Sequence, residues 1–563
     1  MHRGADPWIL GISASHNGGA CLLKGDEIVV AIQEERLSRI KRDRVWAAET
    51  TACLAYCLNY AGIMPEDLSM VVLSVAGSAT EERNDITRNP LLKLAQNEIS
   101  SCLVPHHLAH AVSAFATSGF RKSAVLVVDG RGSPFEDLLP AEQAVVRGGL
   151  SDGAEIISLY VAAAHSLVPL EKHLVAEGNW LELRQTGMPF FASLGGIFSS
   201  VAQQIFGDPA EAGKVMGLAP YGKPTIPSNS FFCIRDKEFH FNDIVPKLFG
   251  DDKRWPSRKD EYSNLACSAQ GALENALLFL AQRAHTLSGN ENLCYAGGVA
   301  LNSIANERII CESDFQRVFI TPAAEDSGAA IGAAYYGLWQ LTARNTCRSM
   351  EHDACGRLYE PAEITTAIKS ATGVDFIESK DVIADAVELL QEGKMLGWFD
   401  GRSEMGPRAL GQRSIVCDPR RSDAKEILNS RIKKRESFRP FAPVVLLEEV
   451  ANWFEVDSQD LASPFMLRIC RFKNERAAHV PAVVHVDGSG RLQTITQAAN
   501  GRFYELVKEF YERTGVPMLL NTSFNVQGEP IVETPDDAIQ CLLKSGLDAC
   551  VFEDRIAFKH LRW

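Results

Sequence analysis

The sequence is most informative first in what it does not contain. It has no Cys-x-x-Cys pair, although 14 cysteines are scattered through its 563 residues. That excludes the common zinc frameworks and dithiol redox motifs. Many of the cysteines lie in apolar runs (Cys21, Cys294, Cys417, Cys470, Cys541), as buried reduced thiols of a cytoplasmic protein would. No apolar run is long enough to span a bilayer, and no basic, then apolar, then small-residue leader is present, so a cytoplasmic location is expected. A basic excess is also missing: the net charge is −14, which argues against a general nucleic-acid or membrane-surface binder. What remains is an ordinary globular composition, 46% hydrophobic and 23% charged, at a length that calls for two domains or more.

The chemistry-bearing residues begin with His106-His107-Leu108-Ala109-His110. Histidines four apart share one helix face. The apolar run Ala124 to Val128 then ends in Asp129-Gly130, a buried strand entering a glycine turn. Two imidazoles and a carboxylate that converge make a site for a borderline divalent ion. Solvated histidines on a surface helix fit the same spacing, and on spacing alone both readings stand. Asp326, just before the small-residue run Ser327 to Ala334, is either a helix cap or a fourth N/O ligand.

The N-terminus reads as a β-meander: strands Trp8 to Ile12, Ala20 to Leu23 and Ile28 to Ile32, opened by the small polar loop Ser13 to Gly19, which carries His16. Such a loop admits an anion to backbone N–H groups, and histidine suits proton transfer near neutral pH. The region after Ala124 repeats the design, with further strands expected at Ala144 to Val146 and Ile156 to Val161. A duplicated α/β unit with a nucleotide or phosphate between its halves is therefore expected. Leu293 to Ala296 runs as a strand into Gly297-Gly298 and Asn302, a place to pack a nucleotide against backbone.

The stretch Asn345 to Pro361 breaks the pattern and sets expected domains of 1–350 and 351–563. Beyond it the basic density rises: Arg402, Arg408, Arg413, Arg420, Arg421, Arg431, Lys433, Lys434, Arg435 and Arg439. In an acidic protein this excess points to a polyphosphate site, with Arg408 and Arg413 framed by glycines. Val483 to Val486 reads as a strand, Arg491 and Gln493 follow on the next, and Met518 to Leu520 runs into Asn521 to Asn525.

Taken together, HHLAHAVSAF, VVDGRGS, KVMGLAPYG, AGGVALN, EDSGAAIGAA, EMGPRALGQRSI, IKKRESFRPFAP, HVDGSGRLQT and LLNTSFNVQGEPIVETPDDA run in family order over essentially the whole chain. The chain resembles the O-carbamoyltransferases of the nodulation and antibiotic-tailoring type. The resemblance implies an α/β protein. Its first domain is of the actin/hexokinase-type ATPase fold (threonylcarbamoyl-transferase branch), and its second is YrdC-like. It implies that ATP and carbamoyl phosphate form a carbamoyl-adenylate in the second domain, and that the carbamoyl group passes to a small-molecule hydroxyl in the first. It further implies metal ligands His106, His110, Asp129 and Asp326 for a divalent ion, iron(II) first, with magnesium or manganese as alternatives. His16 would be the base near the transfer site and Lys41 a basic residue beside it. Gly297, Gly298 and Asn302 would form a nucleotide loop. Arg408, Lys433, Arg439, Arg491 and Ser523 would take ATP and carbamoyl phosphate. Many relatives carry an acid where Ser15 precedes the histidine here.

A small-molecule or sugar kinase on the same ATPase fold would make ADP and leave the basic second domain idle. A non-catalytic nucleotide sensor would bind ATP without turnover. The hydrogenase-maturation relatives carry cysteine-rich zinc repeats, which this sequence lacks. Acceptor contacts are expected in the insertions Leu150 to Met188 and Pro227 to Tyr262, and the family suggests a homodimer.

Overall fold

The computed structural model describes residues 6–46, 49, 51–77, 86–164, 166–176, 180–181, 190–249, 251, 253–343, 346–456 and 460–560. The chain divides into two compact units, 1–29 with 44–350 and 30–43 with 351–563. The segment 30–43, which the sequence left with the first domain, packs within the second unit.

The first unit contains two five-stranded sheets of the same design. One is built from β1 (Trp8–Ser13), β2 (Gly19–Lys24), β3 (Glu27–Gln33), β4 (Leu68–Val75) and β5 (Ser100–Pro105), in the order β3-β2-β1-β4-β5. The unit boundary falls inside β3. Helix α1 (His106–Thr117) follows β5 directly. The other is built from β6 (Lys122–Val128), β7 (Ala154–Ala163), β8 (Ser166–Val175), β9 (Asn292–Ala296) and β10 (Arg317–Ile320), in the order β8-β7-β6-β9-β10. Between β8 and β10 lie the long helix α2 (Lys259–Ser288) and α3 (Ser303–Glu312); α4 (Gly328–Thr342) comes soon after β10. In both sheets the first strand pairs antiparallel with the second and parallel with the fourth, and the fourth pairs parallel with the fifth. The weak sequence repeat is thus a full topological repeat. Its strands are apolar because both faces are covered, as in β6, where six of seven residues are buried.

The two repeats meet where α1 crosses α4. A Cβ on Gly332 would lie 1.8 Å from the carbonyl oxygen of Ala109, so only glycine permits that approach. The ends of α1 and α4 nearest β5 and β10 are thereby brought together.

The second unit is a ten-stranded mixed sheet. Its strands are β11 (Val374–Glu378), β12 (Leu396–Phe399), β13 (Arg413–Cys417), β14 (Ala442–Leu446), β15 (Phe454–Glu455), β16 (Arg468–Phe472), β17 (Ser489–Ile495), β18 (Met518–Ser523), β19 (Ala549–Phe552) and β20 (Arg555–Lys559). They run in the order β11-β20-β19-β12-β13-β18-β14-β17-β16-β15. Helices α5 (Pro361–Ser370), α6 (Val382–Gln391), α7 (Gln497–Thr514) and α8 (Pro535–Lys544) cover it. Thr534 caps α8 through its hydroxyl, as its position before Pro535 predicts.

Two expected strands are absent. Ala144 to Val146 forms a turn with a single bridge from Val146 to Lys172, and Val483 to Val486 is a loop closed by the His485 N–H on the Ser489 carbonyl at 2.7 Å. The first run is exposed or half-buried and the second leaves Val486 exposed, so a short apolar run alone misleads. The helical pattern that the sequence shows from Ala47 to Ala61 takes helical form over Ala52–Ala61; 47, 48 and 50 lie outside the described residues. Among the described residues no helix is long and apolar enough to cross a membrane.

Candidate functional site

In the first unit the site grows from the start of α1. The His106 N–H donates to Ser133 Oγ at 2.9 Å and the His107 N–H to Glu155 Oε1 at 2.9 Å, so two otherwise orphaned helix donors are satisfied. The four-residue spacing sets the rings of His106 and His110 edge to face, with centroids 4.6 Å apart and Nε2 atoms 3.1 Å apart. His107 turns away, its Nδ1 2.8 Å from Ser158 Oγ.

Asp129 arrives at the end of β6. Its Oδ1 accepts the N–H groups of Gly130 (2.7 Å) and Gly298 (3.3 Å). This leaves Oδ2 to face His106 Nε2 at 3.3 Å and His110 Nε2 at 3.5 Å. Asp326, ahead of α4, places Oδ1 3.5 Å from His106 Nε2 and 3.9 Å from His110 Nε2. Its Oδ2 is 3.6 Å from Nδ1 of His16, on the β1–β2 loop. The repeat explains the convergence. His16 and Asp129 occupy the same turn of the two repeats, after β1 and after β6; the α1 histidines and Asp326 follow β5 and β10.

All four candidate ligands are buried, with one donor atom from each inside a 4.8 Å cluster. Tetrahedral bonds of about 2.1 Å put ligand atoms roughly 3.4 Å apart. The distances above fit that sphere, and two imidazoles with two carboxylates are the donors of a first-row divalent ion. The Nδ1 atoms of both histidines are buried without a hydrogen-bond partner, so on that side packing orients the rings.

The electrostatics favour positive charge here. Burial pulls the His106 imidazole down, but Asp326 and Asp129 outweigh it and raise its pKa to about 10. Burial pushes Asp129 and Asp326 up, yet the surrounding imidazoles hold both below the ordinary carboxylate range. Asp326 also raises His16, whose ring is 74% exposed, so solvent screens that attraction.

The expected nucleotide loop divides. Gly297 has φ +93°, and a Cβ on it would sit 2.2 Å from the Val128 carbonyl oxygen; with Gly298 it packs against the Asp129 strand end. Asn302 caps α3 by accepting the Ala305 N–H at 3.1 Å, and its amide pairs reciprocally with Gln270 at 2.9 and 3.0 Å. Those bonds occupy the Asn302 side chain within the fold.

In the second unit the loop 404–411 is held from below. Buried Glu404 accepts the N–H groups of Leu410 (2.7 Å) and Gln412 (3.0 Å), and Asp353 accepts that of Gly406 (2.6 Å). From the sheet, Gln493 donates to the Leu410 carbonyl (2.7 Å) and Asn521 to that of Ala409 (3.0 Å). Arg408 stands on this loop. Its Nε and that of Arg491 are buried without partners. Lys433 donates to Ser523 Oγ (3.2 Å), the Asn525 carbonyl (3.0 Å) and Asn525 Oδ1 (2.7 Å), all uncharged oxygens.

These cations repel one another. Burial and Arg439 lower Arg408 to about 10; burial and Arg439 lower Arg435 to about 9, against a smaller pull from Glu436. Burial, then Arg408, Arg435 and Arg439, push Arg491 far down, and burial followed by Arg435 does the same to Lys433. Arginine keeps its proton in proteins, so the shifts register first the cost of burying these charges and then their mutual repulsion, both of which an anion would relieve. Arg408, Lys433, Arg439, Arg491 and Ser523 are thus brought to one site.

Other members of the basic run are occupied elsewhere. Buried Arg413 donates to the carbonyls of Asp400 (3.0 Å), Gly401 (3.2 Å) and Gln412 (3.0 Å) and stacks 3.6 Å over Phe399. It is part of the sheet and does not join Arg408, contrary to its glycine-framed pairing in sequence. Arg420 pairs with Asp418, Arg421 with Asp423, and Arg402 holds backbone carbonyls. Lys41, expected beside the transfer site, lies in the second unit, where its charge bears on Lys433. Sequence reasoning passed over Arg435 and Asn525 as site residues, and over Glu155 and Ser133 as supports. Nothing in residue type separates Arg435 from the exposed Arg431 and Lys434 beside it.

Comparison with known proteins gives a consistent set of likenesses. The family described as carbamoyltransferase N-terminus matches residues 8–87 and 81–335, and that described as carbamoyltransferase C-terminus matches 387–559. The nodulation protein NolNO of Sinorhizobium fredii is 30% identical over 577 residues, covering 95% of this chain and 78% of the relative. Nodulation protein U of Rhizobium tropici is 28% identical, covering 95% and 93%. The 3'-hydroxymethylcephem-O-carbamoyltransferase of Amycolatopsis lactamdurans is 29% identical over 359 residues, covering 61% and 64%. Among solved structures, full-length HypF in its phosphate- and nucleotide-bound form aligns with a TM-score of 0.38 at 14% identity, over 60% of this chain and 56% of that one.

Proposed function

The chain belongs to the carbamoyltransferase family, and from that premise we propose that it is an ATP-dependent O-carbamoyltransferase whose two units perform two half-reactions. The observation that carries this reading is the presence of two buried sites of opposite electrostatic character in one chain. One groups two carboxylates with two imidazoles; the other gathers buried cations that outnumber the single carboxylate, Glu436, beside them.

The second unit's site suits two polyanions at once. Carbamoyl phosphate and water give carbamate and phosphate; a carbamate oxygen attacks the α-phosphorus of ATP and expels pyrophosphate, leaving carbamoyl-adenylate. Arg408, Arg435, Arg439 and Arg491 neutralise the phosphates, and Lys433, held by Ser523 and Asn525, points an ammonium that a bound polyanion keeps protonated to where the leaving groups develop negative charge.

In the first unit an acceptor hydroxyl attacks the carbamoyl carbon and AMP leaves. His16, exposed on its loop with Nδ1 3.6 Å from Asp326 Oδ2, takes the hydroxyl proton. His106, His110, Asp129 and Asp326 would hold a divalent ion, which would supply Lewis-acid polarisation. The mixed imidazole and carboxylate set favours iron over magnesium, which prefers all-oxygen surroundings. Asp129 is fixed by two backbone N–H groups, so its free oxygen is already oriented. The acceptor is a hydroxyl-bearing small molecule.

The test is a product analysis without acceptor. Protein, ATP, carbamoyl phosphate and a divalent ion should yield pyrophosphate with AMP or carbamoyl-adenylate. ADP as the nucleotide product would instead select the kinase reading, and unchanged ATP the sensor.

A further inference from the structure

The basic site lies in the second unit, yet part of its support comes from residues near the N-terminus. The segment Val30–Asp43 packs within that unit, far in sequence from the rest of it. It joins the unit through backbone, the Ala31 N–H donating to the Cys355 carbonyl at 2.8 Å. Two arginines do the rest.

Arg36, on the short helix Glu34–Ser38, is fully buried. Its Nε donates to Gln33 Oε1 at 3.1 Å and its second nitrogen to the Gly406 carbonyl at 2.7 Å. Gly406 is two residues from Arg408, and its own N–H is fixed by Asp353, so the loop is held from both sides of one residue. Arg39 ends that helix at φ +62°, a left-handed conformation that a non-glycine residue adopts at a cost. From there it donates to the carbonyls of Ile531 (2.7 Å) and Pro530 (3.0 Å) and approaches Asp537 at 3.5 Å. The loop it grips leads straight to the lysine: Asn525 donates to the Glu529 carbonyl at 2.7 Å, and Lys433 donates to Asn525.

We propose that the segment Val30–Asp43 is a clamp for the anion site, in which Arg36 and Arg39 are positioning residues that hold the Arg408 loop and the Asn525 loop at a fixed separation. A guanidinium suits this task because its planar fork satisfies two carbonyls in one geometry, which an ammonium cannot do with the same rigidity. The clamp rests on the adenylation reading above. It adds that unit two's half-reaction needs residues encoded three hundred positions upstream of that unit's main body.

The test uses the full chain. Arg36 is buried and its loss threatens folding, so Arg39, which is partly exposed, is the residue to change. Pyrophosphate release without acceptor is measured at varied ATP and carbamoyl phosphate in wild type, Arg39→Ala and Arg39→Lys, with thermal unfolding alongside. Misplacing a phosphate-binding loop by an ångström should lower kcat/KM by roughly 10- to 100-fold. The loss should fall mainly in KM, with unfolding little changed, and Arg39→Lys should recover part of it. A kcat/KM for Arg39→Ala within twofold of wild type overturns the clamp, as does a loss that only follows the fraction unfolded. Absence of pyrophosphate release from wild type overturns the adenylation reading instead. The clamp is then decided by calorimetric binding of inorganic pyrophosphate, which Arg39→Ala should weaken about tenfold if the clamp holds and leave unchanged if it does not.

Discussion

The first unit's site and the second unit's site solve opposite problems. In the first, His106, His110, Asp129 and Asp326 crowd opposite charges within 4.8 Å, so the cluster is satisfied by one extra positive charge. In the second, Arg408, Arg435, Arg439, Arg491 and Lys433 crowd together with only Glu436 to offset them, so the cluster is satisfied by further negative charge. The supports differ in the same sense. Asp129 is braced by backbone N–H groups, which suit a carboxylate; the Arg408 loop is braced by buried Glu404 and Asp353, which occupy its N–H groups and leave the guanidinium free. The proposed cation site is made by helix and strand ends, and the proposed polyanion site by loops held over a sheet.

The sharpest way to break this contrast is through His16. His16→Ala should lower transfer to the acceptor by about 10²- to 10⁴-fold, the range of a general base, and leave pyrophosphate release intact. Equal loss in both assays would remove the division between the units. Arg408→Ala should lower pyrophosphate release about 10²- to 10³-fold by taking away one fixed charge at the phosphates. Its metal content, read by elemental analysis, should stay that of wild type.

The pH dependence tests the first site alone. In the metal-free protein the His106 pKa of about 10 lies above its ordinary 6.5. Its stabilising contribution is therefore complete below about pH 6.5 and is lost as pH rises through 10. A divalent ion must displace that proton, so binding between pH 7 and 9 should release it and apparent affinity should rise by up to about tenfold per pH unit. Calorimetry in buffers of different protonation enthalpy reads the proton directly; pH-independent binding would contradict the site. The smallest expected effect concerns the second site. Inorganic triphosphate at roughly 100 times its Kd should stabilise by about 2.7 kcal/mol, raising Tm by a few degrees, and the gain should shrink as salt rises. Arg408→Ala should remove most of it.

How far these features were legible depends on their range in sequence. The α1 histidines and the Asp129 strand end are local patterns, so their residue types and spacing announced them. The duplication was visible as two strand-and-turn runs, and the structure extends it to the whole strand order. The second site was half legible. Its basic density is plain, but which arginines converge is decided by tertiary partners: Arg413 by three carbonyls and Phe399, Arg420 by Asp418. The segment 30–43 was opaque for the same reason. Its mixed charges look like a solvated face, and the carbonyls of Gly406 and Ile531 that Arg36 and Arg39 grip are 370 and 492 residues away.

One paired measurement bears most directly on the division of labour: acceptor-free pyrophosphate release from ATP and carbamoyl phosphate, in Arg408→Ala and Asp326→Ala side by side with wild type. The account predicts release lost in Arg408→Ala and retained in Asp326→Ala, whose O-carbamoyl product alone disappears. Release lost alike in both, or retained in Arg408→Ala, would contradict it.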